Sequence, residues 1–308
     1  MKKLTTWKSI RRSKSNEFSI RTVNDGVLMS RQFYITDVFH SGGYSGNQLA
    51  TVVDTAGLTS DDMQVIAREF NFSETTFLMG GDFESGYDVR IFTPSQELPF
   101  AGHPTLGSAY LIREHVAKLT SDTLVLNLAA GKITVTFAND GVVWMRQKQP
   151  EFGEFLDKQT AADALGLALD DIDEDYPVQS VSTGLGFTLV PVKSLQALKR
   201  INQQGSLGFG IFAFTREGYT AEYDISSRML ANDAGISEDP ATGSANGCLA
   251  SYLVHHQYFG GASIDIRVAQ GFEINRPSTL YLRASHCGAE YEINVGGEVK
   301  LSAEGRLV

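Results

Sequence analysis

The chain has 308 residues, 42% hydrophobic and 20% charged, with a formal net charge of −10. That length holds two domains of ordinary size or one large one. The acidic balance argues against a nucleic-acid partner, which needs clustered Lys and Arg, and no apolar run is long enough for a helical membrane span.

Residues 1–28 carry seven Lys/Arg against Glu17 and Asp25 and lack the apolar centre of a secretory signal. They read as a basic, disordered extension. Met29 is a candidate start, because patterned sequence begins directly after it. Residues 32–39, "QFYITDVF", alternate and are rich in β-formers, which predicts a strand. A Gly-rich loop, "HSGGYSGNQ", returns into a second strand, "LATVVD". "LTSDDMQVIAREFN" combines a Thr/Ser cap, early acids and apolar residues at helical spacing, which predicts a helix. Strands follow in "SETTFLM" and "YDVRIFT".

In "ELPFAGHPTLGSAYLIREH" Pro104 is suited to the first position of a helix, where a missing N–H costs nothing. "TLVLNL" and "KITVTFANDGVVWMRQK" are strands, the latter a hairpin turning at Asp140-Gly141. The second half repeats the grammar. Helices are expected in "KQTAADALGL" and "KSLQALKRI", and strands at 178–182, 187–190, "GIFAFT" and "YTAEYDIS". "ISEDPATGSANGCLASYLVHH" is a loop entering a helix capped near Thr242, and the chain closes in four more strands. "FAGHPTLGSAYLI" and "DPATGSANGCLASYL" are faintly alike, which suggests two similar α+β lobes with a cleft between them.

Gly102 and Gly243 let backbone N–H groups at these helix starts approach an anion, although Gly-rich helix starts are also common tight turns. Three proton-transfer groups lie beside the suspected cleft. Glu74 is equally readable as a strand residue facing water, His103 as a cap, and Asp239 as a turn residue. There is no dinucleotide fingerprint after a strand, no P-loop and no nucleophile elbow. Two cysteines, Cys248 and Cys287, match no zinc spacing and cannot form a disulfide framework. The sequence therefore implies no metal and no cofactor, and a reducing, cytoplasmic compartment is expected.

Four stretches in order, "YITDVFHSGGYSGNQLATVV", "NFSETTFL", "RIFTPSQELPFAGHPTLGSAYLI" and "DPATGSANGCLASYL", resemble the phenazine-biosynthesis isomerase (PhzF-like) family of the diaminopimelate-epimerase-like fold. The resemblance runs from about residue 30 to the end. It implies an α+β fold of two pseudo-symmetric lobes, each a rolled, barrel-like mixed sheet around a central helix, with the active-site cleft between them. The expected lobes are 29–146, joined by a C-terminal strand at 298–308, and 147–297. It further implies a homodimer and a small carboxylate substrate. The family's general acid/base falls on Glu74, its site His on His103 and its site Asp on Asp239, which makes Phe72 and Phe77 on either side of Glu74 candidates for the dry wall that keeps its proton on. Ser244 matches its site Ser, and Gly102, Thr242 and Gly243 belong to the substrate-binding helix starts. Epimerases and racemases of this architecture use two opposed cysteines, whose positions fall on Ala101 and Ala241. Neither alanine carries a proton, which favours an isomerase with one base. The rival readings are an epimerase or lyase of the same fold, and a non-catalytic small-anion sensor or partner-binding protein.

Overall fold

The computed structural model describes residues 30–208, 210–231, 236–288 and 290–308, so the basic head and Met29 lie outside the described residues. The described chain is α+β, with eighteen strands in one continuous mixed sheet. Its α-helices are α1 (Ser60–Phe70), α2 (Gly102–Leu111), α3 (Lys158–Leu165), α4 (Leu195–Arg200) and α5 (Gly243–His255). Helix α1 begins as its sequence dictates. Thr59 accepts from the Asp62 N–H while the Asp62 side chain accepts from the Thr59 N–H, a reciprocal cap, and Asn71 ends the helix in the left-handed conformation.

The two halves share one strand grammar. In the first, Arg31–Val38 and Asn47–Val52 form an antiparallel pair. Helix α1 then crosses to the parallel strand Glu74–Asp82, which turns back as Gly86–Phe92. A short strand, Glu97–Leu98, leads into α2, and the chain returns parallel to Gly86–Phe92 as Thr123–Leu128. Gly131–Phe137 and Val143–Arg146 complete the meander. In the second half, Val178–Ser182 and Gly186–Pro191 pair, α4 crosses to Gly210–Thr215, and Ile225–Ala231 turns back. Short strand Ile236–Asp239 leads into α5, followed by Ser263–Gln270, Ser278–Cys287 and Glu290–Gly297.

The last strands of the two meanders pair with each other, Val295 opposite Met145. Each half then sends one further strand across to the other. Glu151–Leu156, leaving the first half, pairs with Val178–Ser182, and Val299–Leu307, leaving the second, pairs with Arg31–Val38. The strand at 151–156 was not expected from sequence; it is exposed at most positions and carries little apolar alternation.

Helices α2 and α5 are apolar on nearly every side because each lies within its own set of strands. At Gly107 of α2 a Cβ would lie 2.6 Å from Leu49 Cδ2 and 2.9 Å from Val38 Cγ2, so a larger residue would force these buried side chains to shift. Three sequence readings shift. Pro104 is the third residue of α2 rather than the first, a position still within the turn that has no intrahelical N–H acceptor. The strand read at 219–226 is Ile225–Ala231, since 216–224 turns through Gly218, whose Cβ would strike the Tyr223 carbonyl at 2.3 Å. Phe77, a candidate wall for Glu74, faces the other side of its strand and packs edge-on against Phe92 beneath α1. Among the described residues no helix is long and apolar enough to cross a membrane.

Candidate active site

Glu74 opens the strand Glu74–Asp82, opposite Leu49 on the parallel neighbour. Its side chain retains 15% exposure, and its Oε2 has no hydrogen-bond partner. Burial, aided by the negative charge of Asp239, pushes its pKa up to about 8. His103 Nε2 lies 3.5 Å from Glu74 Oε2 and is itself without a hydrogen bond. Burial pushes the imidazole down to about 3, against a hydrogen bond to the Gln48 backbone. Near pH 7 the acid holds its proton and the imidazole is neutral, so this approach is not an ion pair.

Gly102 and His103 are the first two residues of α2, and Gly243 and Ser244 the first two of α5. A Cβ on Gly102 would lie 3.1 Å from the Ser244 nitrogen and 3.2 Å from Gly243 Cα. The two helix starts therefore touch backbone to backbone. Neither N-cap residue, Ala101 or Thr242, caps with its side chain, and neither first turn contains an acid. Two positive dipole ends thus meet with no protein carboxylate in their first turns.

Asp239 ends the strand that leads into α5. Its Oδ1 accepts from Asn47 Nδ2 at 3.0 Å and Ser73 Oγ at 3.1 Å, and its Oδ2 from Thr242 Oγ1. Burial raises its pKa to about 6 although the hydrogen bonds from Thr242, Asn47 and Ser73 oppose the rise; the charge of Glu238 adds to it. Asn47 and Ser73 come from the first half, so they tie Asp239 across the cleft. Fully buried Gln270 secures the α5 start. Its Nε2 donates to the Asp239 carbonyl and Thr242 Oγ1, and its Oε1 accepts from the Thr242 N–H and Asn246 Nδ2.

One cleft of about 910 Å³ is lined by Glu74, Gly102, His103, Asp239, Thr242, Gly243 and Ser244 together. Its other walls include Phe72, Pro94, Leu98, Leu185, Phe187 and Met229, and the described lining contains no Lys or Arg. An anion in this cleft meets backbone amides rather than a cationic side chain. Sequence reasoning missed Asn47, Ser73 and Gln270, which act on the site from strands and a loop that carry no local signal, and Asn246, which lies in the first turn of α5 itself. Ala101 caps α2 and Thr242 caps α5, so the helix starts equate Ala101 with Thr242 rather than with Ala241. No thiol occupies either place.

Residues 36–305 match the family described as "Phenazine biosynthesis-like protein" (PhzC-PhzF). The chain is 34% identical over 289 residues to the trans-2,3-dihydro-3-hydroxyanthranilate isomerase of Pseudomonas aeruginosa, covering 89% of this chain and 98% of that one. It is 32% identical over 300 residues to an uncharacterized isomerase of Mesorhizobium japonicum, covering 91% and 99%. The Bacillus anthracis phenazine biosynthesis protein of the PhzF family superposes with a TM-score of 0.83 at 26% identity, covering 91% of this chain and 99% of that one.

Proposed function

The chain belongs to the phenazine biosynthesis-like (PhzC-PhzF) family and is an isomerase, and from that premise we propose that it shifts a proton within a small cyclic carboxylate, with Glu74 as the single acid/base. The observation that carries this reading is the shared cleft. A partly desolvated carboxyl with a free oxygen stands beside a neutral imidazole and two abutting helix starts.

In this reading the substrate carboxylate sits on the first amides of α2 and α5 and on Ser244. Ionised Glu74 removes a proton from a carbon conjugated with that carboxylate or with a double bond. The C–H pair moves into the conjugated system and the double bond migrates. Protonated Glu74 then delivers a proton to another carbon on the same face, and solvent deuterium enters whenever its carboxyl exchanges with water before that second transfer. The helix starts and His103 stabilise the delocalised anion between the two transfers. Asp239, held by Asn47, Ser73 and Thr242, receives a substrate amine or hydroxyl. These groups supply every proton and charge the shift needs, so the reading invokes no cofactor. Family membership supports extending the proposal to a homodimer in the cytoplasm.

The first substrate to try is trans-2,3-dihydro-3-hydroxyanthranilate, on which the Pseudomonas aeruginosa relative is named to act. Glu74→Gln is expected to abolish its C–H exchange in D₂O, a loss of at least ~10²-fold, while ligand binding persists. Exchange at the wild-type rate in that variant overturns the one-base mechanism.

A further inference from the structure

The halves share a side-chain device that the proton shift does not use. In the second half Arg228 Nε donates to Glu238 Oε1 at 3.1 Å and Nη2 to Glu238 Oε2 at 2.7 Å. In the first, Arg90 Nε donates to Glu97 Oε1 at 2.8 Å and Nη2 to Glu97 Oε2 at 2.7 Å. Both arginines stand on equivalent strands, Gly86–Phe92 and Ile225–Ala231. Both glutamates precede the central helix by the same count, in "ELPFAGH" and "EDPATGS", which share Glu-x-Pro-x-x-Gly. The ladder agrees, with Ile91 opposite Leu98 and Met229 opposite Asp239. Each guanidinium also grips the flanking helix. Arg228 Nη1 donates to the Leu198 carbonyl in α4 and the Ile201 carbonyl just after it, and Arg90 Nη2 to Ser60 Oγ of α1.

The residue after each glutamate, Leu98 or Asp239, lines the cleft. A two-toothed fork fixes orientation as well as distance, which a single point contact does not. The strand carrying Asp239 has four residues and joins its neighbour through an irregular register, so its ladder alone is a weak anchor. We propose that Arg228 and Arg90 are positioning residues: each, through its forked glutamate, fixes the next residue along the chain against the cleft, Asp239 on the polar wall and Leu98 on the apolar wall.

The inference rests on Asp239 facing the substrate, so its test observes Asp239 directly and needs no turnover. Arg228→Lys and Arg90→Lys are matched swaps that keep the charge and lose the fork. Carbon-13 NMR of the Asp239 carboxyl follows its titration, whose midpoint in the unchanged protein lies near 6. Arg228→Lys is expected to move that midpoint by about half a pH unit or more, because the donors Asn47, Ser73 and Thr242 lose register with the carboxylate. Arg90→Lys is expected to leave it in place, with both variants folded. An unmoved midpoint in Arg228→Lys overturns the proposal, as does an equal shift in Arg90→Lys. If Arg228→Lys does not fold, Glu238→Asp and Glu97→Asp, which keep the charge and shorten the fork by one methylene, give the same comparison. Loss of activity in Glu74→Gln has no bearing on either outcome.

Discussion

Gly102 and Gly243 lie in contact where α2 and α5 begin, the first residue of one helix against the first of the other. Neither has a positive φ, and at Gly102 it is the space beside the α5 backbone that favours glycine. Gly102→Ala would set a methyl 3.1 Å from the Ser244 nitrogen and 3.2 Å from Gly243 Cα, where backbone rather than a flexible side chain must give way. We expect a folded protein whose amides no longer converge on one anion, with affinity for a carboxylate ligand lowered about tenfold or more. Calorimetric titration of the variant checks this, and unchanged affinity would mean that the contact does not build the anion site.

Buried Glu74 should leave a signature in the stability of the free protein. Its pKa rises from 4.5 to about 8 on folding, so the folded state binds the extra proton and stability falls as pH climbs through that range. His103 acts oppositely, its neutral burial making stability rise with pH until about 6.5. The Asp239 contribution ends by about pH 6. Between pH 6.5 and 8 the Glu74 contribution therefore stands clear of the other two. Glu74→Gln should gain on the wild type across that window by about 1 kcal/mol, below the limit of ~1.4 kcal/mol per pH unit because the side chain keeps some contact with water. Urea unfolding at pH 6.5 and 8 measures it, and parallel curves for the two proteins would contradict the raised pKa.

Asp239→Asn keeps a hydrogen-bonding side chain and removes a charge. Because that charge helps hold the Glu74 pKa at about 8, the variant's pKa should fall. Residual activity should then begin its rise at lower pH than in the wild type, where kcat/KM climbs toward a midpoint near 8. An acid limb that stays in place would show that the two carboxyls do not sense each other.

Gln270 makes four hydrogen bonds while fully buried. Gln270→Leu fills similar volume but leaves the Thr242 N–H, the Asp239 carbonyl and Asn246 Nδ2 short of a partner. We expect a loss of roughly 3 kcal/mol or more, since each orphaned buried group costs about 1–3 kcal/mol. Denaturant unfolding checks the value; a loss within ~0.5 kcal/mol would mean that water replaces the amide.

Much of this architecture is legible in the residues. The cap at Thr59, the strand at 123–128 and the small-residue openings of α2 and α5 carry local signals that the fold respects. The internal likeness is visible too, but its shared Thr and its shared Gly-Ser-Ala do not agree on one register. Matching the Gly-Ser-Ala triplets shifts the halves, whereas strand pairing aligns Glu97 with Glu238 and Gly102 with Gly243. The rest depends on sequence-distant partners. Nothing near Asn47 announces that it will reach Asp239, 192 residues away. Strand 151–156 gains its place from the ladder it joins, not from its own pattern.

The exchanged strands make the covalent link at 157–177 dispensable for holding the halves together. Glu151–Leu156 is stitched into the second half and Val299–Leu307 into the first, while Val143–Arg146 and Glu290–Gly297 join at the seam. A chain nicked near Glu174-Asp175 would fall into two polypeptides clasped by three ladders, behaving as a heterodimer with a complete cleft. Neither fragment made alone would have all its edges covered, so each would be expected to remain insoluble until its counterpart arrives.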